Sequence, residues 1–360
     1  LNNGGTEKSM DMPYDFAAKL RIYDAEDKTK FAKAVLVSGG KNSGLQDAKD
    51  IPIRAAGQNI TVFYGDEAGY ENFVFTDWYD DTAEELTIDT AGQLMGFAQL
   101  VNAGKDFSGK TVKLTKDIDL SKLCDAENPW TPIGTSTTKS FKGTFDGQGH
   151  SIRGLYVDLQ KLKGSSYVGL FGVASDAVIC DLTIRDSKIC DSGEKPKSKM
   201  AVGMLLGSST SNLTVRNVEI AETCSVEAAA ACVGGIIGSV STEWQRLPGI
   251  LRQDVRISKV ENHADVRLLA GSYFLGQTLT TQFNGKNVQI SSAGGIIGYA
   301  ANGSDSWFGP REGELCFAVN SGNVTNAAAI AEADLTKPYY NCAGGLVGTA
   351  YSVIGNASAG

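Results

Sequence analysis

VGGIIG, residues 233–238, decides how this chain is read, because it returns as YVGLFG (167–172), VGMLLG (202–207), AGGIIG (293–298) and AGGLVG (343–348). A short glycine-plus-aliphatic unit repeated at this spacing marks one coil of a stacked solenoid, since a single coil cannot bury its apolar edge without a neighbour. The closing glycines, Gly172, Gly207, Gly238, Gly298 and Gly348, are therefore expected to be structural, each at a tight corner. In the first two copies Leu170 and Met204 stand where the later three have a second glycine, which predicts corners with less clearance.

Between the phrases the text alternates in the manner of strands. DLTIRDSKI (181–189) aligns without a gap on NLTVRNVEI (212–220), which predicts that Leu182, Ile184 and Ile189 stack on Leu213, Val215 and Ile220. Likewise ISKVENHADV (257–266) aligns on LCFAVNSGNV (315–324) and brings Asn262 and Asn320 to equivalent positions, where a turn or side-chain ladder is expected rather than a binding role. The wider spacing of the later phrases requires excursions at 241–253, 271–287, 301–313 and 330–340. Asn356, in SVIGNASAG, lines up with the other two asparagines, which predicts a last coil edge that no helix or loop of the chain covers.

The phrase is absent before residue 82, where AKLRIYD, FAKAVLVSG, IPIRA, NITVFYG and NFVFTDWY read as short strands between turns. This predicts a small antiparallel β domain over 1–82 and a solenoid over 83–360. An acidic spacer, DDTAEE (80–85), precedes a switch of period from two to about 3.6. Thr90 with Gln93 forms a capping-box pattern, Leu94, Phe97, Ala98 and Val101 share one helical face, and Gly104 is placed to end the helix. A helix here has a natural role in covering the first coil.

After the helix come TVKLTKDIDL, WTPIGT (130–135) and SFKGTFDGQGHSIRGLYV (140–157). With Trp130, Pro132, Ile133, Phe141, Gly143, Phe145, Asp146, Gly147, Gly149, His150, Ile152 and the five phrases, the chain from about Leu86 onward resembles bacterial surface proteins that carry GLUG repeats. The resemblance implies a right-handed parallel β-helix and a non-enzymatic role in adhesion or binding at the cell surface. Residues 50–70 resemble part of a fimbrillin-like β-sandwich domain of such proteins. GLUG regions also accompany IgA-cleaving metallopeptidases, but no HExxH occurs here, so the resemblance reaches only their non-catalytic region.

Composition narrows the chemistry. A net charge of −8 without a basic stripe excludes a nucleic-acid surface, and the run Lys195, Lys197, Lys199 reads as a solvated loop. No GxxxxGK[ST] loop exists for a nucleotide, and no cofactor or metal is expected. Two histidines, His150 and His263, leave no room for a histidine-rich metal site and read as corner side chains. Seven cysteines without a CxxC pair do not form a disulfide framework; Cys232 and Cys342 read as buried thiols, while a Cys180–Cys190 bridge stays open as a possibility of spacing.

Parallel β-helices also serve as polysaccharide lyases and hydrolases, for which Asp181, Asp186, Asp254 and Asp265 are candidate carboxylates. The alignment sets Asp181 on Asn212 and Asp186 on Asn217, which suits turns better than acids. Recognition is instead expected at loop aromatics: Trp244, Tyr273, Phe274, Trp307 and Phe308, with Tyr339 and Tyr340 beside them. A glycan or a host or bacterial surface protein is the expected partner. No run of 18 apolar residues exists and no signal peptide opens the sequence, so an extracellular location with any anchor outside this chain is the expectation.

Overall fold

A computed structural model describes residues 18–23, 31–36, 76, 78–121, 123–162, 165–193, 199–209, 211–241, 255–269, 280–283, 286–301, 313–327 and 339–351. The chain divides into two compact units, residues 1–100 and 101–360. In the first, Ala18–Tyr23 pairs antiparallel with Phe31–Leu36, two of the expected strands. The segment 50–70 lies outside the described residues.

The helix runs from Ala91 to Asn102. Its N-terminus carries the expected reciprocal cap: Gln93 N–H donates to Thr90 Oγ1 at 3.2 Å, and Thr90 N–H donates to Gln93 Oε1 at 3.1 Å. Leu94, Phe97, Ala98 and Val101 are buried, as the period predicted. Gly104 adopts φ +107 and its N–H reaches the Val101 carbonyl at 2.9 Å, closing the last turn. Asn102 then clamps the chain at 132–135, donating to the Pro132 carbonyl at 3.0 Å and accepting from the N–H groups of Gly134 and Thr135 at 3.0 and 3.1 Å.

The second unit is a parallel β-helix in which each coil gives one strand to each of four sheets. Three successive coils read Ala177–Arg185, Lys188–Cys190, Lys199–Gly203, Leu206–Ser209; then Leu213–Ile220, Ser225–Ala228, Ala230–Gly234, Ile237–Ser241; then Val255–Asn262, Asp265–Leu268, Lys286–Gly294, Ile297–Ala301. The same order continues through Gly313–Asn320, Val324–Asn326, Tyr339–Gly344 and Val347–Tyr351. Earlier, Thr144–Asp146 and Ser151–Arg153 share one sheet with Ala177–Arg185, and Thr111–Leu114 pairs with Thr144–Asp146. At this end Phe141, Phe145 and Phe171 cluster, Phe171 lying 5.4 Å from Phe141 and 5.3 Å from Phe145. Trp130 is buried with Nε1 donating to the Leu170 carbonyl at 3.1 Å.

The glycine phrase forms the corner between the third and fourth strands of a coil. A Cβ on its first glycine would stand 1.8 Å from the Ile237 carbonyl oxygen at Gly234, 1.9 Å from that of Ile297 at Gly294, and 2.0 Å from that of Val347 at Gly344. None of these glycines has positive φ, so the phrase needs glycine for closeness of approach rather than for backbone conformation. The closing glycines are crowded too: a Cβ at Gly238 would stand 2.5 Å from Val202 N, and one at Gly207 would stand 2.5 Å from Val168 N.

The second glycine makes room for an asparagine. A Cβ at Gly235 would lie 2.5 Å from the Asn262 carboxamide, and one at Gly295 would lie 2.3 Å from that of Asn320. Asn262 and Asn320 are register partners, and Asn262 Nδ2 donates to Asn320 Oδ1 at 2.8 Å and to the Ala264 carbonyl at 2.9 Å. The expected ladder is present. In the two earlier coils the same column holds Ile184 and Ile220, and there the phrase carries Leu170 and Met204, both fully buried. Bulky phrase residue with isoleucine, or glycine with asparagine, are thus two fillings of one volume. Asn356 lies outside the described residues.

The register of the long strands differs from the sequence alignment. Ala177, Ile179 and Ile184 pair with Leu213, Val215 and Ile220, whereas Leu182 pairs with Val218 and Ile189 with Val226. The cause is a bend: Asp181, Asn217, Lys259 and Phe317 have φ of 56, 54, 51 and 50°, and each falls between paired residues of adjacent strands. Each long strand is two half-strands of similar pattern, and matching LTIRD to LTVRN aligns the second half of one with the first half of the other. The excursion at 271–287 also differs in part, since Thr280–Phe283 pairs antiparallel with residues 286–289 as a hairpin.

Three stability differences follow. Gly235→Ala is expected to lower stability by about 2 kcal/mol through overpacking against backbone. Gly345→Ala, at the same phrase position with nothing described within 4 Å, is expected to be near neutral. Phe317→Asn should raise stability by about 1 kcal/mol, because the left-handed conformation costs a bulky side chain roughly that much more than asparagine. Urea denaturation of the three variants checks all of these.

Candidate functional site

Asp181, the first carboxylate singled out, sits at the strand bend where a short polar side chain tolerates positive φ. Its Oδ1 accepts from Asn217 Nδ2 at 2.8 Å and its Oδ2 lies 3.0 Å from Arg216 Nη1. Asp146 and Cys180 complete a group whose ligand-type atoms all lie within 4.8 Å of one another. Arg216 Nη2 also donates to Cys180 Sγ at 3.3 Å. Burial, a hydrogen bond to Asp181 and the neighbouring carboxylates push the Cys180 thiol up to about 12. Arg216 thus bridges the Asp181 carboxylate and the Cys180 thiol within this group, and the raised thiol stays protonated near neutral pH.

Other acids are matched in the same way across coils. Asn212 Nδ2 donates to Asp176 Oδ1 at 2.8 Å, and Asn323 Nδ2 donates to Asp265 Oδ1 at 2.9 Å. The observed neighbour of Asp181 is therefore Asn217, and that of Asn212 is Asp176, not the pairs that alignment gave. Asp186 has φ 48 and its N–H donates to Thr223 Oγ1 at 2.8 Å. Asp254 lies outside the described residues. Asp176, Asp186 and Asp265 are each bonded separately to a neighbouring coil, whereas Asp181 lies together with Asp146.

Both histidines sit in surface networks. His150 Nδ1 is 3.5 Å from Asp117 Oδ1, Arg185 Nη2 is 3.6 Å from Asp117 Oδ2, and Arg185 Nε donates to Ser151 Oγ at 3.0 Å. His263 Nδ1 is 2.6 Å from Ser321 Oγ in the next coil, and its Nε2 is 3.3 Å from Glu261 Oε2. His263 therefore lies within hydrogen-bond reach of both a serine hydroxyl and a carboxylate, whereas the contact of His150 is to a carboxylate.

All seven cysteines are free, so the Cys180–Cys190 bridge is not formed. Cys232 is buried and burial raises its thiol strongly; Cys342, two coils along the same column, is only half-buried, which corrects the expectation for that residue. Trp244, Tyr273, Phe274, Trp307 and Phe308 lie outside the described residues, and Tyr339 and Tyr340 are described as strand backbone only.

One surface feature was missed. Phe317 and Val319 are 78% and 47% exposed on the outer face of the last described long strand, where the preceding coil has Lys259 and Glu261. The signal was available in the alignment of ISKVEN on LCFAVN, where two charges become two apolar residues.

No protein-family model matches this chain. Over 145 residues, 39% of its length, it is 30% identical to Halomucin of Haloquadratum walsbyi, and the match covers 1% of that protein. The chain thus spans a very small part of the curated relative it matches. A solved structure assigned by name as an immunoglobulin A1 protease of Bacteroides ovatus overlaps 69% of this chain and 60% of its own, with 18% identity and a TM-score of 0.42. Among the described residues no helix is long and apolar enough to cross a membrane.

The corner acids make stability pH-dependent. In Asp158 burial alone would raise the carboxyl, but the Ser192 hydroxyl at 2.6 Å and the Gln160 and Ser192 N–H groups outweigh it and hold it below the ordinary range. Asp117, Asp119 and Asp181 are lowered as well. A depressed carboxylate contributes its stability above the unfolded value of about 3.9 and loses it as pH falls through the folded value. The urea midpoint should hold from neutrality to about pH 5 and fall below about pH 4, and Asp158→Asn should shrink that fall.

Proposed function

We propose that this chain is a non-enzymatic, extracellular binding or scaffold protein in which the β-helix serves as a rigid stalk or display surface. The observation that carries this reading is the internal pairing of the outer polar columns: Asp176 with Asn212, Asp181 with Asn217 and Arg216, Asp265 with Asn323. Polar groups bonded to neighbouring coils in this way reinforce a rod. The likeness to a small part of Halomucin and the resemblance to GLUG-repeat surface proteins support the same reading, the first through sequence and the second through the glycine phrase and its flanking motif. Fold alone does not give function, so the reading rests on these residues rather than on the β-helix as such.

The ligand we propose for the display surface is a glycan or a surface protein, met by the excursion-loop aromatics. Aromatic faces stack on sugar rings and anchor protein interfaces. Two measurements test the proposal. On a glycan and matrix-protein array, the full chain should bind at least one ligand, and Trp307→Ala should weaken that binding by about tenfold, a loss of the size of one hot-spot aromatic; a blank array contradicts the recognition role and leaves the stalk. Incubated with a panel of polysaccharides, the protein should release neither reducing ends nor unsaturated uronic acids; release of either overturns the non-enzymatic reading.

A further inference from the structure

The asparagine column holds two corner residues as well as the interior. Asn262 Nδ2 donates to the Ala264 carbonyl and Asn320 Nδ2 to the Gly322 carbonyl, both at 2.9 Å. Each carboxamide therefore spans the one residue between, His263 in one coil and Ser321 in the next. Asn262 and Asn320 are register partners joined through their side chains at 2.8 Å, which brings the two spanned residues to the same place on adjacent coils. Backbone bonds complete the clamp: Ser321 N–H donates to the Asn262 carbonyl at 2.9 Å, and His263 N–H donates to the Ile220 carbonyl at 2.8 Å.

At this corner a hydroxyl, an imidazole and a carboxylate meet in order. His263 Nδ1 lies 2.6 Å from Ser321 Oγ, and its Nε2 lies 3.3 Å from Glu261 Oε2. One tautomer serves both contacts: with the proton on Nε2 the ring donates to Glu261, and the Nδ1 lone pair accepts from the Ser321 hydroxyl. This is the order of nucleophile, base and orienting group that activates a serine for acyl transfer. The corner opens sideways to solvent, since the His263 side chain stays 28% exposed although described coils lie on both sides of it. Ser321 is exposed as well.

We propose that Ser321 is a covalent acceptor site for the acyl group of activated carboxylic esters, with His263 as its base and Glu261 as the positioning residue. In the step, Ser321 Oγ forms a bond to the ester carbonyl carbon while its proton passes to His263 Nδ1. The bond from that carbon to the leaving oxygen breaks, and the leaving group departs with the electron pair. The imidazolium returns the proton to the leaving oxygen or to solvent. The product is the acylated chain itself, so the inference goes beyond the display reading and does not depend on it.

4-Nitrophenyl acetate is the probe, incubated with the full chain at neutral pH, and the acetyl group is located by peptide mass mapping. Ser321 is expected to be acetylated faster than any other serine or threonine of the chain, with equimolar release of 4-nitrophenolate. Ser321→Ala should lose that adduct. His263→Ala should slow it about 100-fold, the lower end of what general-base catalysis supplies, and added imidazole should restore part of the rate. Glu261→Ala should slow it about tenfold, the worth of one hydrogen bond to a charged group, and Glu261→Gln, whose amide oxygen still accepts from Nε2–H, should recover most of that loss. Equal urea midpoints for all variants show that the rates report chemistry rather than unfolding. Absence of a Ser321 adduct overturns the proposal, and so does an adduct that forms at the unaltered rate in His263→Ala or in Glu261→Ala.

Discussion

The carbonyl oxygen that lies within 2.0 Å of where a Cβ would stand, at Gly234, Gly294 and Gly344, is the constraint on which the remaining structure depends. In the three later coils it fixes the corner between two sheets at an approach that no side chain permits, whereas at Gly203 the corresponding distance, to the Leu206 carbonyl oxygen, is 2.6 Å. Once the corners are superimposed, the strands on either side fall into parallel register, and interior columns form from residues far apart in sequence. Aliphatic side chains fill those columns in the early coils and give the stack its hydrophobic stabilisation. The asparagine column replaces them later, where the second glycine opens the volume.

This substitution of one filling for another explains a chain that is irregular in sequence yet regular in fold. Leu170 with Ile184 and Met204 with Ile220 bury hydrocarbon; Gly235 with Asn262 and Gly295 with Asn320 bury a carboxamide whose hydrogens are used within and between coils. The Asn262 oxygen at the first rung faces the isoleucine column and has no partner, which places the cost of the change at the boundary between the two fillings. On the outside, Asp–Asn rungs and Arg216 serve the same stacking purpose, so the polar surface is part of the rod's cohesion. That is the physical basis for reading the molecule as a support or display element.

Much of this was legible in the sequence. The glycine phrase implies the architecture, Thr90, Gln93 and Gly104 mark the helix ends, and the alignment of ISKVEN on LCFAVN puts Asn262 and Asn320 in one column. Register was not legible in the strands around Asp181, because a left-handed bend divides each into halves of nearly the same pattern, and periodicity cannot tell one half from the other. Cys342 and Cys232 both stand just before the glycine phrase, so their different burial could not be read from that position; it depends on the place of each coil in the stack. The exposed pair Phe317 and Val319 was visible as a loss of charge but carries meaning only once the outer face is known.

Engineered disulfide formation tests the stacking register most directly, because a disulfide forms only when Cα atoms lie within about 7 Å. Thr183 pairs with Glu219 across adjacent coils, whereas the alignment of similar text would set Thr183 beside Thr214. Under mild oxidation the Thr183→Cys, Glu219→Cys protein should form its bridge readily, seen as a shift in non-reducing electrophoresis and in intact mass, and the Thr183→Cys, Thr214→Cys protein should not. Bridging in the second protein and not in the first would contradict the bent-strand register and the column assignments built on it.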